Sequence, residues 1–106
     1  MTKPVGYFAA SAAADLMQQQ FGAYLETIRY TNQLACLAIL AKTAYATAAA
    51  IEAGEETDWS IANEVDCGYL TLTPELRSSL IAFDQERIDE AIAFCAALVD
   101  QLQFRQ

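Results

Sequence analysis

From Tyr7 to Ala53 the chain runs without a proline, and alanine is the commonest residue of that stretch. Few choices commit a backbone so firmly, because alanine has the highest helix propensity and proline is the strongest breaker. The apolar spacing agrees. Met17, Phe21, Tyr24 and Ile28 are separated by four, three and four residues, which is one face of a helix. Tyr30, Leu34, Leu37, Ala41, Ala44, Ala48 and Ile51 alternate steps of four and three, a heptad seam. The two seams are out of phase, so a bend is expected between Ile28 and Leu34. Thr31–Asn32 is its first candidate, as weak helix formers and good caps, and Gly22 is the second. Ala53–Gly54 reads as the stop, with Gly54 in the left-handed cap position.

Beyond the stop lies an acidic turn, Glu52, Glu55, Glu56 and Asp58. A short helix from Trp59 to Val65 is expected, capped by Thr57 or Asp58. Tyr69 to Thr73 alternates like a strand but is too short to build a sheet, so it reads as an extended connector. Thr73-Pro74-Glu75 is a strong helix start: a capping hydroxyl, a proline at the first helical position and an acid at the positive end of the dipole. The spacing predicts one helix from there to about Phe104. Its seam is Ile81, Ile88, Cys95 and Leu102, with Ile92, Leu98 and Val99 adjoining and a polar run at Asp84, Gln85, Glu86 and Arg87.

Length limits how these helices are arranged. A single helix from Asp15 to Ala53 would be about 58 Å long. A compact chain of this size has a radius of gyration of only about 13 Å. An unbroken helix would therefore protrude, whereas a broken one folds back on itself. The sequence thus predicts an all-α fold: one domain over residues 1–106, an antiparallel bundle of three to four helices, with a short irregular connector at about 54–73. Hydrophobic residues make up 55% and charged residues 19%, against roughly 45–50% and about 25% in ordinary domains. A small domain cannot bury such an excess alone, so a homo-oligomer is expected.

Charge and residue types exclude several classes of function. Six Lys and Arg stand against 14 Asp and Glu, a net charge of -8. Lys3, Arg29, Lys42, Arg77, Arg87 and Arg105 are scattered, so direct nucleic-acid binding and docking on an anionic membrane are not expected. The charge itself reads first as a device for solubility and second as attraction to a basic protein partner. There is no histidine, which removes the commonest general base and the Ser-His and Cys-His pairs. Cys36, Cys67 and Cys95 are odd in number and form no C-x-x-C, which points to reduced, buried thiols and a cytoplasmic setting. The run from Val5 to Ala12 mimics a signal peptide only faintly, and Lys42 interrupts the best candidate membrane span, Gln33 to Ile51. Lys42 itself is expected to snorkel to solvent or to pair across helices with Asp84, Glu86 or Asp89.

Three functional readings follow. The leading one is a non-enzymatic adaptor or regulator acting by protein–protein contact, with no cofactor, no metal and no catalytic residue. Its partner-binding face is Trp59 within the acidic turn of Glu55, Glu56 and Asp58, an aromatic anchor in a charged rim. The second is an acidic inhibitor that mimics nucleic acid, such as a phage or plasmid antagonist of a defence enzyme. The third is a metal-dependent nucleotide pyrophosphohydrolase. Helical enzymes of that kind hold magnesium with Glu-x-x-Glu and Glu-x-x-Asp pairs on facing helices, and Glu52-x-x-Glu55 and Glu86-x-x-Asp89 have those spacings.

Overall fold

A computed structural model describes residues 3–55, 60–65 and 72–104, and among these all regular structure is helical. The order is α1 (Val5–Phe8), α2 (Ala12–Phe21), α3 (Tyr30–Glu52), α4 (Ile61–Val65), α5 (Pro74–Ile81) and α6 (Ile88–Phe104), with a 3-10 turn over Ala82–Gln85. The radius of gyration is 13.2 Å and the principal extents are 41 × 28 × 22 Å. These dimensions match the folded-back arrangement.

The stretch expected to be nearly all helix is three helices. Ser11 starts α2 by accepting a hydrogen bond from the Ala14 amide at 3.2 Å. The break comes at Gly22, not at Thr31–Asn32. Gly22 has φ +95, and any side chain there would collide with the Glu26 carboxylate, so only glycine takes this turn without strain. Residues 22–29 then fold as turns. The Gln33 side-chain amide fastens them, donating to the carbonyls of Leu25 at 3.1 Å and Ile28 at 3.4 Å. Thr31 and Asn32 lie in the first turn of α3. Met17 and Ile28 are buried as the first seam predicts, but Tyr24 is exposed because it lies in the turn, off the helix. At the other end Gly54 adopts φ +73 as expected, and the Glu55 amide donates back to the Ala50 carbonyl at 2.8 Å.

The helix expected to span Thr73 to Phe104 is also divided. Its start is as read: the Thr73 hydroxyl accepts from the Leu76 amide at 3.2 Å and Pro74 occupies the first turn. It breaks at Ala82–Arg87 because two acids of the polar run turn back into the fold. Asp84 accepts from the Ile61 and Ala62 amides, at 2.8 and 3.1 Å. Glu86 accepts from the Ala13 amide at 2.9 Å. The first turns of α4 and α2 leave amides without intrahelical partners, and these carboxylates supply them.

α3 and α6 form the longest packed pair. They run in opposite directions: Leu40, Thr43 and Thr47 of α3 share a cleft with Ile88 and Ala91 at the start of α6. The far end of α6 meets the N-terminal segment, where Lys3 donates its amide to Asp100 at 2.7 Å and accepts from Gln101 at 2.8 Å. The core comprises Val5, Met17, Leu25, Ile39, Leu40, Leu76, Leu80, Phe83, Phe94 and Leu98, with the Phe83 and Phe94 rings 5.0 Å apart.

Neither heptad seam is the buried stripe. On α3 the buried positions are Asn32, Gln33, Cys36, Ile39 and Leu40. Tyr30, Leu34 and Ala41 of the expected seam are exposed. On α6 the buried positions are Ala91, Phe94, Ala97, Leu98 and Gln101, while Ile88, Cys95 and Leu102 are half-buried. Each helix is thus rotated from the expected orientation, by about the width of an apolar stripe. The expected connector at 54–73 contains α4, whose Ser60 accepts from the Asn63 amide at 3.2 Å. Thr57, Asp58 and most of the strand-like run, Tyr69 to Thr71, lie outside the described residues.

Candidate functional site

The residues chosen from sequence as a partner-binding face are Trp59, Glu55, Glu56 and Asp58. Glu55 is exposed just past the end of α3, and the other three lie outside the described residues. The second acidic group is largely consumed within the fold. Asp84 and Glu86 cap helices, Asp89 pairs with Arg87 at 3.2 Å with both side chains well exposed, and only Glu90 is left over. Glu52 and Glu55 stand exposed at the end of α3, whereas Glu86 faces the start of α2. Among the described residues no three Asp, Glu or Cys side chains converge into a metal-binding group. The constellation behind the pyrophosphohydrolase reading is therefore not assembled from these four carboxylates.

Lys42 does pair across helices, but its partner is Glu64 of α4 at 3.4 Å, not Asp84, Glu86 or Asp89. The lysine head is 60% exposed while the carboxylate is almost fully buried. A buried carboxylate needs compensating partners, so this pair fixes α4 against α3 at a site where an uncompensated acid would be costly.

A cleft of about 300 Å³ opens between α3, the start of α4 and the turn before α6. Leu40, Ala44, Ile61, Phe83, Ile88 and Ala91 line it, with Thr43, Thr47, Asp84, Glu86 and Arg87 as polar neighbours. Asp84 and Glu86 are held as helix caps, and Arg87 is paired with Asp89. The Thr43 hydroxyl is buried without a hydrogen-bond partner. Of the charged groups at the cleft, the two carboxylates are committed to the fold, while Arg87 stays exposed to solvent.

The outward sides of α3 and α6 carry most of the exposed large apolar side chains among the described residues. On α3 the exposed positions Tyr30, Leu34, Ala38, Ala41 and Tyr45 recur at steps of four, four, three and four. On α6 the exposed positions Ile92, Ala96, Val99 and Gln103 do the same at four, three and four. In both helices this set lies about half a turn from the buried one. The buried sets belong to one core cluster, and in each helix the exposed set lies on the side away from it. None of these nine side chains is charged. Tyr45, near the middle of α3, is 74% exposed and Ile92 is 55% exposed. Leu37, Ile88, Cys95 and Leu102 are half-buried along the line between the helices.

The α3 helix is also long and apolar enough to cross a membrane by length and composition, with a mean hydropathy of 1.7 over its most apolar stretch, and Lys42 does not prevent this. Burial pushes the Cys36 thiol up to about 12, partly offset by a backbone hydrogen bond, and the Cys95 thiol up to about 11. Both are free thiols held in the protonated, unreactive form at neutral pH. Cys67, the third cysteine, lies outside the described residues.

No protein-family model, curated protein or solved structure matches this chain.

The seams read from the sequence include five of these exposed positions, Tyr30, Leu34, Ala41, Ile92 and Val99, and assign them to the core. What would have distinguished the two faces is the polar pair Asn32–Gln33, which follows the buried stripe and marks the side where the turn at 22–29 must be fastened. Nothing local signals the capping roles of Asp84 and Glu86, because the amides they bind lie 23 and 73 residues away.

Proposed function

We propose that this chain is a non-enzymatic helical protein, an adaptor or regulator, that acts by protein–protein contact. The observation that carries the reading is the uncharged apolar surface of α3 and α6. A contiguous exposed apolar patch of this extent is the usual mark of an interaction site. The cleft supports the reading from the other side. Its acids are engaged as caps, and histidine, the commonest general base, is missing from the chain. In this proposal the chain is an antiparallel bundle of three to four helices that works in the cytoplasm without cofactor or metal. The net charge of -8 favours a basic protein over nucleic acid or an anionic membrane as any further partner. The acidic turn with Trp59 is then a second contact region.

Site-specific photo-crosslinking tests the reading. A benzophenone side chain at Tyr45 in the full chain, irradiated in the cell, is expected to yield a discrete protein adduct, and the same probe at the exposed Glu75 is expected to yield none. Absence of any protein adduct at Tyr45, or equal adducts at both positions, would overturn it.

The inhibitor that mimics nucleic acid is the weaker reading. Such a protein needs its carboxylates free along one face, and here Glu64, Asp84 and Glu86 are tied into the fold.

A further inference from the structure

We infer that the occupant of the α3–α6 surface is a second copy of this chain, the two outer faces packing against each other to form a closed dimer. The inference rests on the reading that this surface is a protein contact, and it names the partner. Two observations favour a like copy.

The first is charge. The chain carries a net charge of -8, so two copies repel over most of their surfaces. The stripe from Tyr30 to Tyr45 and from Ile92 to Gln103 has no charged position; charge enters at the ends of the stripes, Glu52 on α3 and Asp89 on α6, with Lys42 flanking Ala41. It is the surface on which two copies meet without opposing charges. A basic partner would find no carboxylate there to pair with, so the same feature that admits a second copy disfavours a cationic protein.

The second is area and shape. Tyr30, Leu34, Tyr45, Ile92 and Val99, each at least 40% exposed, together with the exposed alanines and the half-buried line between the helices, offer on the order of 700 Å². A standard stable interface covers about 800 Å² on each partner. Large side chains alternate with alanines along both helices, Tyr30 and Leu34 then Ala38 and Ala41 then Tyr45, and Ile92 then Ala96 then Val99. A two-fold axis brings the same patch of each copy together, and this alternation allows the large residues of one copy to seat against the small ones of the other.

Sedimentation velocity on the full chain, with circular dichroism on every variant, tests the inference. At about 10 µM, a concentration that a dimer with sub-micromolar Kd saturates, the expected mass is twice the chain mass of 11.6 kDa. Ile92→Glu and Tyr45→Glu are each expected to give a monomer with unchanged helicity, since both side chains are solvent-exposed in a single copy. Glu75→Gln, away from this face, is expected to remain dimeric. The Tyr45 photo-adduct is expected at twice the chain mass. A wild-type monomer up to about 200 µM would overturn the inference, and so would a dimer that survives the Ile92→Glu, Tyr45→Glu double variant. A Tyr45 adduct with a different protein, together with a monomeric chain, would refute the second copy while leaving the protein-contact reading standing.

Discussion

The two sides of α3 are provisioned in opposite ways. The side turned inward carries Asn32, Gln33, Cys36 and Thr43 between Ile39 and Leu40, and beside it Lys42 meets the buried carboxylate of Glu64. The side turned outward carries Tyr30, Leu34, Ala38, Ala41 and Tyr45 with no charge. In an ordinary surface helix the polar groups face water and the apolar stripe faces the core. Of the inward polar side chains Gln33 has clear structural work, its amide tying down two carbonyls of the 22–29 turn, while the Asn32 and Thr43 side-chain oxygens are buried without hydrogen-bond partners; beside them Lys42 braces α4 through Glu64. The outward side has no such partner within the chain. A helix with apolar character on its outward side needs apolar surroundings there, a protein or a membrane, and the dimer supplies the first.

The sharpest way to break this contrast is to place the same charge on each side. Leu40→Asp buries an unpaired carboxylate in the core, at a cost of several kcal/mol, on the order of the whole stability of a small domain. It is expected to abolish cooperative thermal unfolding followed by circular dichroism. Leu34→Asp, on the outward side, is expected to keep the helical spectrum and lose self-association by sedimentation. Equal loss of fold in both would mean that the outward side is core.

Removing the cation from the Lys42–Glu64 pair comes next. Lys42→Met leaves the Glu64 carboxylate without this counter-charge. Because the lysine head is solvated, the loss is expected to be about 1–2 kcal/mol by urea denaturation, below the cost of breaking a fully buried pair. Substituting Glu64→Gln in the same background should recover part of it, since the charge that needed compensation is gone.

Cys36 gives the contrast a pH dependence. Burial raises its thiol from the ordinary 9.0 to about 12, so the folded chain keeps this proton where the unfolded chain releases it. Its contribution is full below pH 9, where both states hold the proton, and is lost as pH rises through the window from 9.0 to about 12. The melting temperature is expected to fall over that window, and Cys36→Ala to make the fall shallower. A Cys36→Ala profile parallel to the wild type would place the alkaline sensitivity elsewhere.

The smallest effect is expected at Thr43, whose hydroxyl is buried without a hydrogen-bond partner. Thr43→Val keeps the shape and removes the unpaired group, so stability should be unchanged or rise by up to about 1 kcal/mol. A clear loss would reveal a partner for that hydroxyl.

How far the sequence reaches can be judged residue by residue. The stops and starts governed by local chemistry were legible: Gly54 as a left-handed cap, Thr73-Pro74-Glu75 as a helix start, and Gly22 as one of two places for the bend. So was the all-helical class, from alanine content and spacing. The rotation of α3 and α6 was not legible, because periodicity reports that a helix has an apolar stripe and not which neighbour covers it. The strongest stripe reads as core, yet in the fold it straddles the edge between the buried and the exposed sides, with Tyr30, Leu34 and Ala41 outside and Leu37, Ile88, Cys95 and Leu102 half-buried. The division of the last helix was missed for a related reason: Asp84 and Glu86 look like a solvated polar turn until the distant amides they bind are placed. The chosen partner face around Trp59 lies mostly outside the described residues, and the apolar surface that replaces it as the candidate was hidden within the seams themselves.

The capping turn before α6 also orders events in time. The amide of Ala13 waits for Glu86, 73 residues later in the chain, and the amides of Ile61 and Ala62 wait for Asp84. Short helices are marginal on their own in water. At roughly 5–20 residues per second of synthesis, α2 emerges several seconds before its carboxylate partner. During that interval the growing chain holds α3 complete, with its apolar outer side exposed and its inner side not yet closed by α6. Any chain ended before residue 84 would remain in that state, with the Ala13, Ile61 and Ala62 amides lacking their carboxylates and α3 not yet packed against α6. Completion of the last quarter of the sequence therefore converts a sticky nascent segment into a folded one.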